Sequence, residues 1–82
     1  MAISGAQCRA GRALAELSRD MLAKLARVDA EVIEHFERKL GKPDAAAVDA
    51  IAAALETAGV VFIPENGGGA GVRLKFTASE AR

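Results

Sequence analysis

The spacing of apolar residues changes at Gly59, and this change limits the possible folds more than any other feature of the sequence. Before Gly59, apolar residues recur every three or four positions, as on one face of an α-helix. After it comes the apolar run 60–63, then a glycine-rich turn over 64–71, and then an alternation of apolar and basic residues from 72 to 76, which is typical of a β-hairpin. The pattern predicts a mainly α domain with helices over 4–58, a C-terminal hairpin over 59–76 and a flexible tail over 77–82.

Capping residues divide the helical part into four helices. Ser4 and Gln7 form a capping-box pattern that predicts helix one from about residue 5 to 16. Ser18 is placed to cap a second helix ending near residue 26, and Asp29 a third. Asp44 is placed to cap a fourth helix, which ends at Gly59. Helix one contains Gly11, which predicts close approach by another helix at that position.

Composition restricts the setting in which the chain works. Eighty-two residues suffice for one domain, and a single cysteine, Cys8, excludes an intramolecular disulfide and favours a reducing compartment. Cys8 itself is interpreted as a small apolar residue on a helix. The N-terminus lacks a signal-peptide pattern, and no apolar run approaches the length of a membrane span. We therefore expect a cytoplasmic protein without membrane partners.

The sequence contains a histidine and a glycine-rich run, but the neighbouring residues that a catalytic, metal or phosphate site requires are missing beside them. His35 is the only histidine and has no cysteine near it in the sequence, so we expect a solvent-facing or DNA-facing role rather than metal binding. The run Gly67–Gly71 resembles a phosphate loop only in its glycines, because no lysine and serine or threonine follow it. The sequence predicts no enzymatic activity, no metal site and no cofactor.

Three segments carry a resemblance to a known family. These are Ser-Arg-Asp-Met-Leu-Ala (18–23), Val-Asp (28–29) and Val-Ile-Glu-His-Phe-Glu-Arg (32–38), within the stretch 4–43. This stretch resembles the XRE family of lambda-repressor-like helix-turn-helix regulators, and the segment 59–74 is similar to the C-terminal hairpin of one bacterial subgroup. The resemblance implies a four-helix, helix-turn-helix domain followed by a β-hairpin.

The resemblance also implies roles for particular residues. Arg12 and Glu37 match a buried ion pair of the family, and Ser18 and Arg19 match a helix cap and a contact to the DNA backbone. The recognition helix would span about 30–38. Arg27 and Lys39 stand where the family usually has glycine, which predicts φ > 0 at both positions. The expected DNA-binding residues are Ser18, Arg19, Arg27, Asp29, Ala30, Glu31, Glu34, His35, Arg38, Lys39 and Lys42.

The charge of the third helix leaves two function classes open. Residues 29–38 contain four acids and one base, a formal sum of −3, whereas DNA binding draws on lysine and arginine. One interpretation is a sequence-specific transcriptional regulator that binds double-stranded DNA as a dimer on a palindromic operator. The other is a helix-turn-helix fold used as a protein interaction module, an antiactivator or DNA-mimic-like inhibitor whose acidic third helix meets another regulatory protein.

The first hairpin strand is apolar on both faces, which predicts that a second subunit covers one of them. The protein's own helices would cover the other face. We therefore expect a homodimer assembled through the hairpin. The expected interface residues are Val60, Val61, Phe62, Ile63, Val72 and Leu74.

Overall fold

The structure is a computed structural model, and it describes residues 2–76. Four helices are followed by an antiparallel hairpin, so the predicted mainly α fold with a C-terminal hairpin is confirmed. The expected flexible tail, 77–82, lies outside the described residues. None of the described helices is long and apolar enough to cross a membrane. The elements are α1 (Gly5–Ala15), α2 (Arg19–Ala26), α3 (Ala30–Glu37), α4 (Ala45–Thr57), β1 (Val60–Ile63) and β2 (Gly71–Leu74).

Side-chain caps start three of the four helices. Ser4 Oγ accepts a hydrogen bond from Gln7 N at 3.0 Å, and Gln7 Oε1 accepts one from Ser4 N at 2.9 Å, which completes the predicted capping box of α1. Ser18 caps α2 and Asp29 caps α3 in the same way. Asp44 differs from expectation, because it occupies the N-cap position of α4 but makes no side-chain capping hydrogen bond.

The ends of α1, α2 and α3 each lie next to a residue with left-handed backbone geometry. Glu16 and Arg27 have φ of +58°, and Lys39 has φ of +59°. The third helix ends at Glu37, one residue earlier than expected, and Arg38 serves as its C-cap. The expected positive φ is therefore present at Arg27 and Lys39, and it is sterically unfavourable for residues that have a Cβ atom.

Apolar residues from all four helices, from β1 and from the segment before α1 form one core. Gly11 of α1 is buried there, and a Cβ at this position would lie 3.3 Å from Val60 Cγ1 and 3.6 Å from Leu55 Cδ1. The closest approach at Gly11 thus comes from β1 and only then from α4, rather than from a helix alone. The core residues are Ile3, Cys8, Leu22, Ala26, Ile33, Phe36, Val48, Ile51, Ala52, Leu55, Val60 and Phe62.

The hairpin has one face on this core and one face turned away from it. The register pairs Val60 with Leu74 and Phe62 with Val72 on the inner face, while Val61 pairs with Arg73 and Ile63 with Gly71 on the outer face. This alternation corrects the expected dimer interface. The side chains of Val60 and Phe62 are buried in the protomer's own core, and Val72 packs against it.

Only Val61 and Ile63, both half-buried, remain as apolar side chains of β1 on the outer face. Leu74 is half-buried on the inner side with its partner Val60.

The side chain of Gln7 links the hairpin to α1, because Gln7 Nε2 donates hydrogen bonds to the carbonyl oxygens of Ile63 at 3.2 Å and Gly71 at 3.0 Å. The orientation of the hairpin is thereby tied to the first helix.

Candidate nucleic-acid interface on the third helix

One side of α3 is turned away from the core and carries five of the eleven residues expected to contact DNA. Ile33, Phe36 and Glu37 are buried, so the positions three and four residues apart on the other side are accessible. We call this side the exposed face of α3. Its residues are Ala30, Glu31, Glu34, His35 and Arg38.

The buried end of α3 contains an acid held by two arginines. Glu37 has a side chain with 0% exposure, and its two carboxylate oxygens accept hydrogen bonds from Arg12 Nε at 2.7 Å and Arg12 Nη2 at 2.8 Å. Arg19 Nε adds a third hydrogen bond at 3.0 Å. Arg12 Nη1 also donates to the carbonyl oxygen of Leu17. The ion pair implied by the resemblance is therefore present, and α1, α2 and α3 meet at it.

Cys8 completes the surroundings of Glu37. Its Sγ donates to Glu37 Oε2 at 3.1 Å, and burial together with this hydrogen bond raises the pKa of the thiol. Burial opposes ionisation of Glu37, but the hydrogen bonds from Arg12, Cys8 and Arg19 outweigh it and hold the pKa of the carboxyl below its ordinary value. Glu37 is thus a structural anion and is withdrawn from any partner surface. Cys8 is buried as expected, although it acts as a hydrogen-bond donor as well as an apolar group.

The other acids of residues 29–38 differ in whether their carboxylates already accept a hydrogen bond within the protein. Asp29 Oδ1 accepts from Glu31 N at 2.9 Å as the helix cap, and Glu34 Oε2 accepts from Arg38 Nη1 at 3.0 Å. Glu31 has a side chain with 73% exposure, and His35 Nε2 lies 4.0 Å from Glu31 Oε1. Glu31 is therefore the acid of this helix with the least compensation.

Compensation within the fold changes the charge of this surface. Withdrawal of Glu37 onto Arg12 and Arg19 brings the formal sum of residues 29–38 from −3 to −2, and the exposed residues Arg27 and Lys39 on either side of this segment bring it to 0. Lys42 follows in the exposed loop before α4. The excess of acids expected from the sequence is thus reduced at the surface that a ligand would meet, where Asp29, Glu31 and Glu34 remain.

Arg19 lies at the start of α2, as expected, and its guanidinium is also engaged inside the protein. Its Nε is engaged by Glu37, and 36% of its side chain is exposed at the start of α2, next to the N-cap Ser18. The guanidinium consequently supports the buried ion pair first and reaches solvent with its outer nitrogens. Ser18 is exposed, and its hydroxyl is used by the helix cap.

An apolar groove of about 530 Å³ runs beside the exposed face of α3. Half-buried and exposed apolar side chains line it, including Val32 and Leu40, and His35 stands at its border. Lys42 and Asp44 from the following loop lie at the far side. The groove is wide enough to accept one large side chain from a partner.

The glycine-rich loop and the metal-ligating residue types do not form a ligand site in the described residues. Glu65 Oε1 accepts hydrogen bonds from Gly67 N at 2.7 Å and Gly69 N at 3.0 Å, and these bonds hold the pKa of the Glu65 carboxyl below its ordinary value. The backbone donors of the glycine-rich loop therefore bind the chain's own carboxylate. Across residues 2–76, no group of three histidine, cysteine or acidic side chains is close enough to hold a metal ion.

Two contacts of this region could not be expected from sequence spacing. Gln7 is recognisable as a capping residue, but its two hydrogen bonds to the hairpin are 56 and 64 residues away in sequence. The Arg19–Glu37 contact spans 18 residues and depends on how α2 is placed against α3. The one local signal for such a contact is that Gln7 is a polar residue at a position that faces the core, because buried polar side chains have hydrogen-bond partners.

Comparison with known proteins adds no name to this arrangement. No protein-family model matches the chain, and no curated protein matches it significantly.

Proposed function

We propose that the protein is a DNA-binding regulator with a helix-turn-helix arrangement, in which α3 is the recognition helix. The observation that carries this proposal is the internal compensation of the acids of α3, above all the withdrawal of Glu37 by Arg12 and Arg19. DNA binding requires that phosphates meet more positive than negative charge. With Glu37 buried and Glu34 held by Arg38, the exposed Arg27, Lys39 and Lys42 would supply that positive charge.

The geometry of α2 and α3 supports the same proposal. Three residues, 27–29, separate the two helices, which pack against each other. An eight-residue helix is about 12 Å long, and the major groove of DNA is about 12 Å wide. Arg27 at one end of α3 and Lys39 at the other are therefore spaced to approach the phosphates on both sides of the groove, while the exposed face of α3 meets the bases.

Two copies of the chain would bind a palindromic site. We assign the dimer contact to the outer face of the hairpin, where Val61 and Ile63 lie beside each other. Burying them against a second copy would add apolar contact to a domain whose own core is small. A twofold axis there would present two α3 helices to one duplex.

A titration of labelled duplex DNA with lysine and arginine variants tests the proposal. Arg27→Ala and Lys39→Ala are expected to weaken binding to every duplex and to flatten the dependence on salt by about one unit per removed contact. The matched control is Lys75→Ala, which removes a lysine from the hairpin. Equal affinities for wild type and both α3-flanking variants contradict the proposal.

The groove beside α3 favours a second candidate function, a protein interaction module. Its apolar lining next to the exposed Glu31 would suit a partner that inserts an apolar side chain and presents a basic one nearby. In that case the protein binds another regulatory protein and shows no affinity for duplex DNA even at low salt, where phosphate contacts are strongest.

A further inference from the structure

We propose that Glu31 determines sequence specificity by accepting a hydrogen bond from the N4 amino group of a cytosine in each half-site. This inference rests on the proposed function and makes it more specific, because it names a base and the residue that selects it. Glu31 is the second residue of α3, and the N-terminal residues of a recognition helix are those that reach base edges.

The hydrogen bonds around α3 single out Glu31 among four acids. Glu37 is buried, Asp29 accepts from a backbone N–H as the cap, and Glu34 accepts from Arg38. Each of these carboxylates already has a donor inside the protein. The Glu31 carboxylate is 73% exposed and lies beyond hydrogen-bond distance of His35, so it retains its acceptor capacity for a ligand.

The chemistry of the base edges then selects cytosine. A carboxylate offers acceptors only, so it needs a donor that stands apart from other acceptors on the same base. In the major groove cytosine presents the N4 amino donor alone, whereas adenine presents its N6 amino group beside the N7 acceptor, which repels a carboxylate. Guanine presents two acceptors, and thymine an acceptor and a methyl group. Among the four bases, cytosine is the one that suits Glu31.

The position of Glu31 also limits the cost of placing an acid near DNA. The first turn of a helix carries partial positive charge from its free backbone N–H groups, which favours an anion there. His35 stands one turn further along the same face, and Arg27 lies just before the helix. The helix N-terminus and the positive charge of Arg27 reduce the repulsion between the Glu31 carboxylate and the phosphates. A wrong base at this position gains no compensating hydrogen bond.

Selection from a pool of random duplexes, carried out with the wild type, Glu31→Gln and Glu34→Gln, tests the inference. The wild type should select a motif with cytosine at one position of each half-site, preferred by about tenfold over other bases. Glutamine pairs with adenine through N6 and N7, so Glu31→Gln should change that one preference from cytosine to adenine and leave the rest of the motif intact. Glu34→Gln should keep the cytosine, because Arg38 already occupies Glu34.

The outcomes separate this inference from the proposed function. If the wild type selects a motif and Glu31→Gln selects the same motif, the inference is overturned while DNA binding stands. If the wild type enriches no sequence although it binds duplex DNA, sequence-specific recognition and the inference fail together. Glu31 is largely exposed, so equal urea unfolding midpoints for wild type and variant are expected and exclude misfolding as the cause of a changed motif.

Discussion

Glu37 links three helices through one carboxylate, and the donors around it reduce the free-energy cost of burying its charge. Two arginines and a thiol donate to its oxygens, and no buried side-chain nitrogen or oxygen in the described part of the chain lacks a hydrogen-bond partner. A buried charge is tolerated only when it is paired in this way. The same contacts keep the carboxylate away from the surface that would meet DNA, so stability and function depend on one group.

Removing Arg12 should be strongly destabilising. Arg12→Ala leaves Glu37 with Arg19 and Cys8 as donors, and we expect the free energy of unfolding to fall by about 3 kcal/mol. The double variant with Glu37→Ala should lose less than the single variant, because it leaves no unpaired buried acid. Urea unfolding measures both. Losses below about 0.5 kcal/mol for single and double variants alike would contradict the pair's role.

Acid should weaken the protein through the same residue. The folded-state pKa of Glu37 is depressed, so its contribution to stability is complete above the ordinary glutamate value of 4.5 and is lost as pH falls from there through the folded pKa. Glu37→Gln should therefore show a shallower loss of unfolding free energy below pH 4.5 than the wild type. The matched control is Glu34→Gln, which should retain the wild-type slope in urea unfolding from pH 7 to 3.

At the scale of single elements, two helix ends place a side chain at a backbone conformation that favours glycine. Arg27 and Lys39 adopt φ near +58°, a conformation that costs an ordinary side chain about 1 kcal/mol or more and glycine far less. Both residues are exposed cations at the ends of α3. Their presence instead of glycine is explained if phosphate contacts outweigh the backbone strain.

Glycine at these two positions should separate stability from binding. We expect Arg27→Gly and Lys39→Gly each to raise the free energy of unfolding by about 0.5 to 1 kcal/mol while weakening duplex binding. Arg38→Gly, at φ of −91°, is the control and should lower stability instead. Thermal unfolding of the three variants measures the difference. Destabilisation by both positive-φ replacements would show that their side chains support the fold.

Elements whose signals lie close together in sequence could be predicted, and contacts between distant elements could not. The caps at Ser4, Ser18 and Asp29 act within three residues, so the sequence alone indicates them. Asp44 had the same local signal without the expected hydrogen bond. The bonds of Gln7 to the hairpin, and of Arg19 and Cys8 to Glu37, depend on how the elements pack, which spacing does not specify.

For the candidate interface, the sequence identifies the third helix but overstates its negative charge. Counting residues 29–38 includes Glu37 at full weight, whereas the structure pairs this carboxylate with Arg12 and Arg19. The partners of Glu37 come from α1 and α2, outside the counted window. Likewise, the alternation of β1 places two of its four apolar side chains inside the protomer.

At the scale of the whole molecule, the proposed dimer contact on the outer hairpin face makes a prediction about the oligomeric state. Val61→Glu would place a charge on this face without entering the core, and we expect it to convert a dimer to a monomer in sedimentation experiments. Phe62→Glu should unfold the chain instead, because Phe62 is buried within the protomer. Leu14→Glu, at an exposed apolar position of α1, is the control and should remain dimeric. A wild type that sediments as a monomer at micromolar concentration would refute the hairpin interface.

The affinity of the wild-type protein for duplex DNA at two salt concentrations tests the central claim most directly. With about six phosphate contacts per dimer, we expect affinity to fall by about 10³-fold between about 50 mM and about 200 mM salt. The double variant Glu31→Gln, Glu34→Gln should bind duplexes more tightly, because it removes two acids near the groove, and should prefer adenine where the wild type prefers cytosine. Absence of duplex binding at about 50 mM salt, together with loss in the same variant of a complex with a basic protein, would contradict the account and favour the protein interaction module.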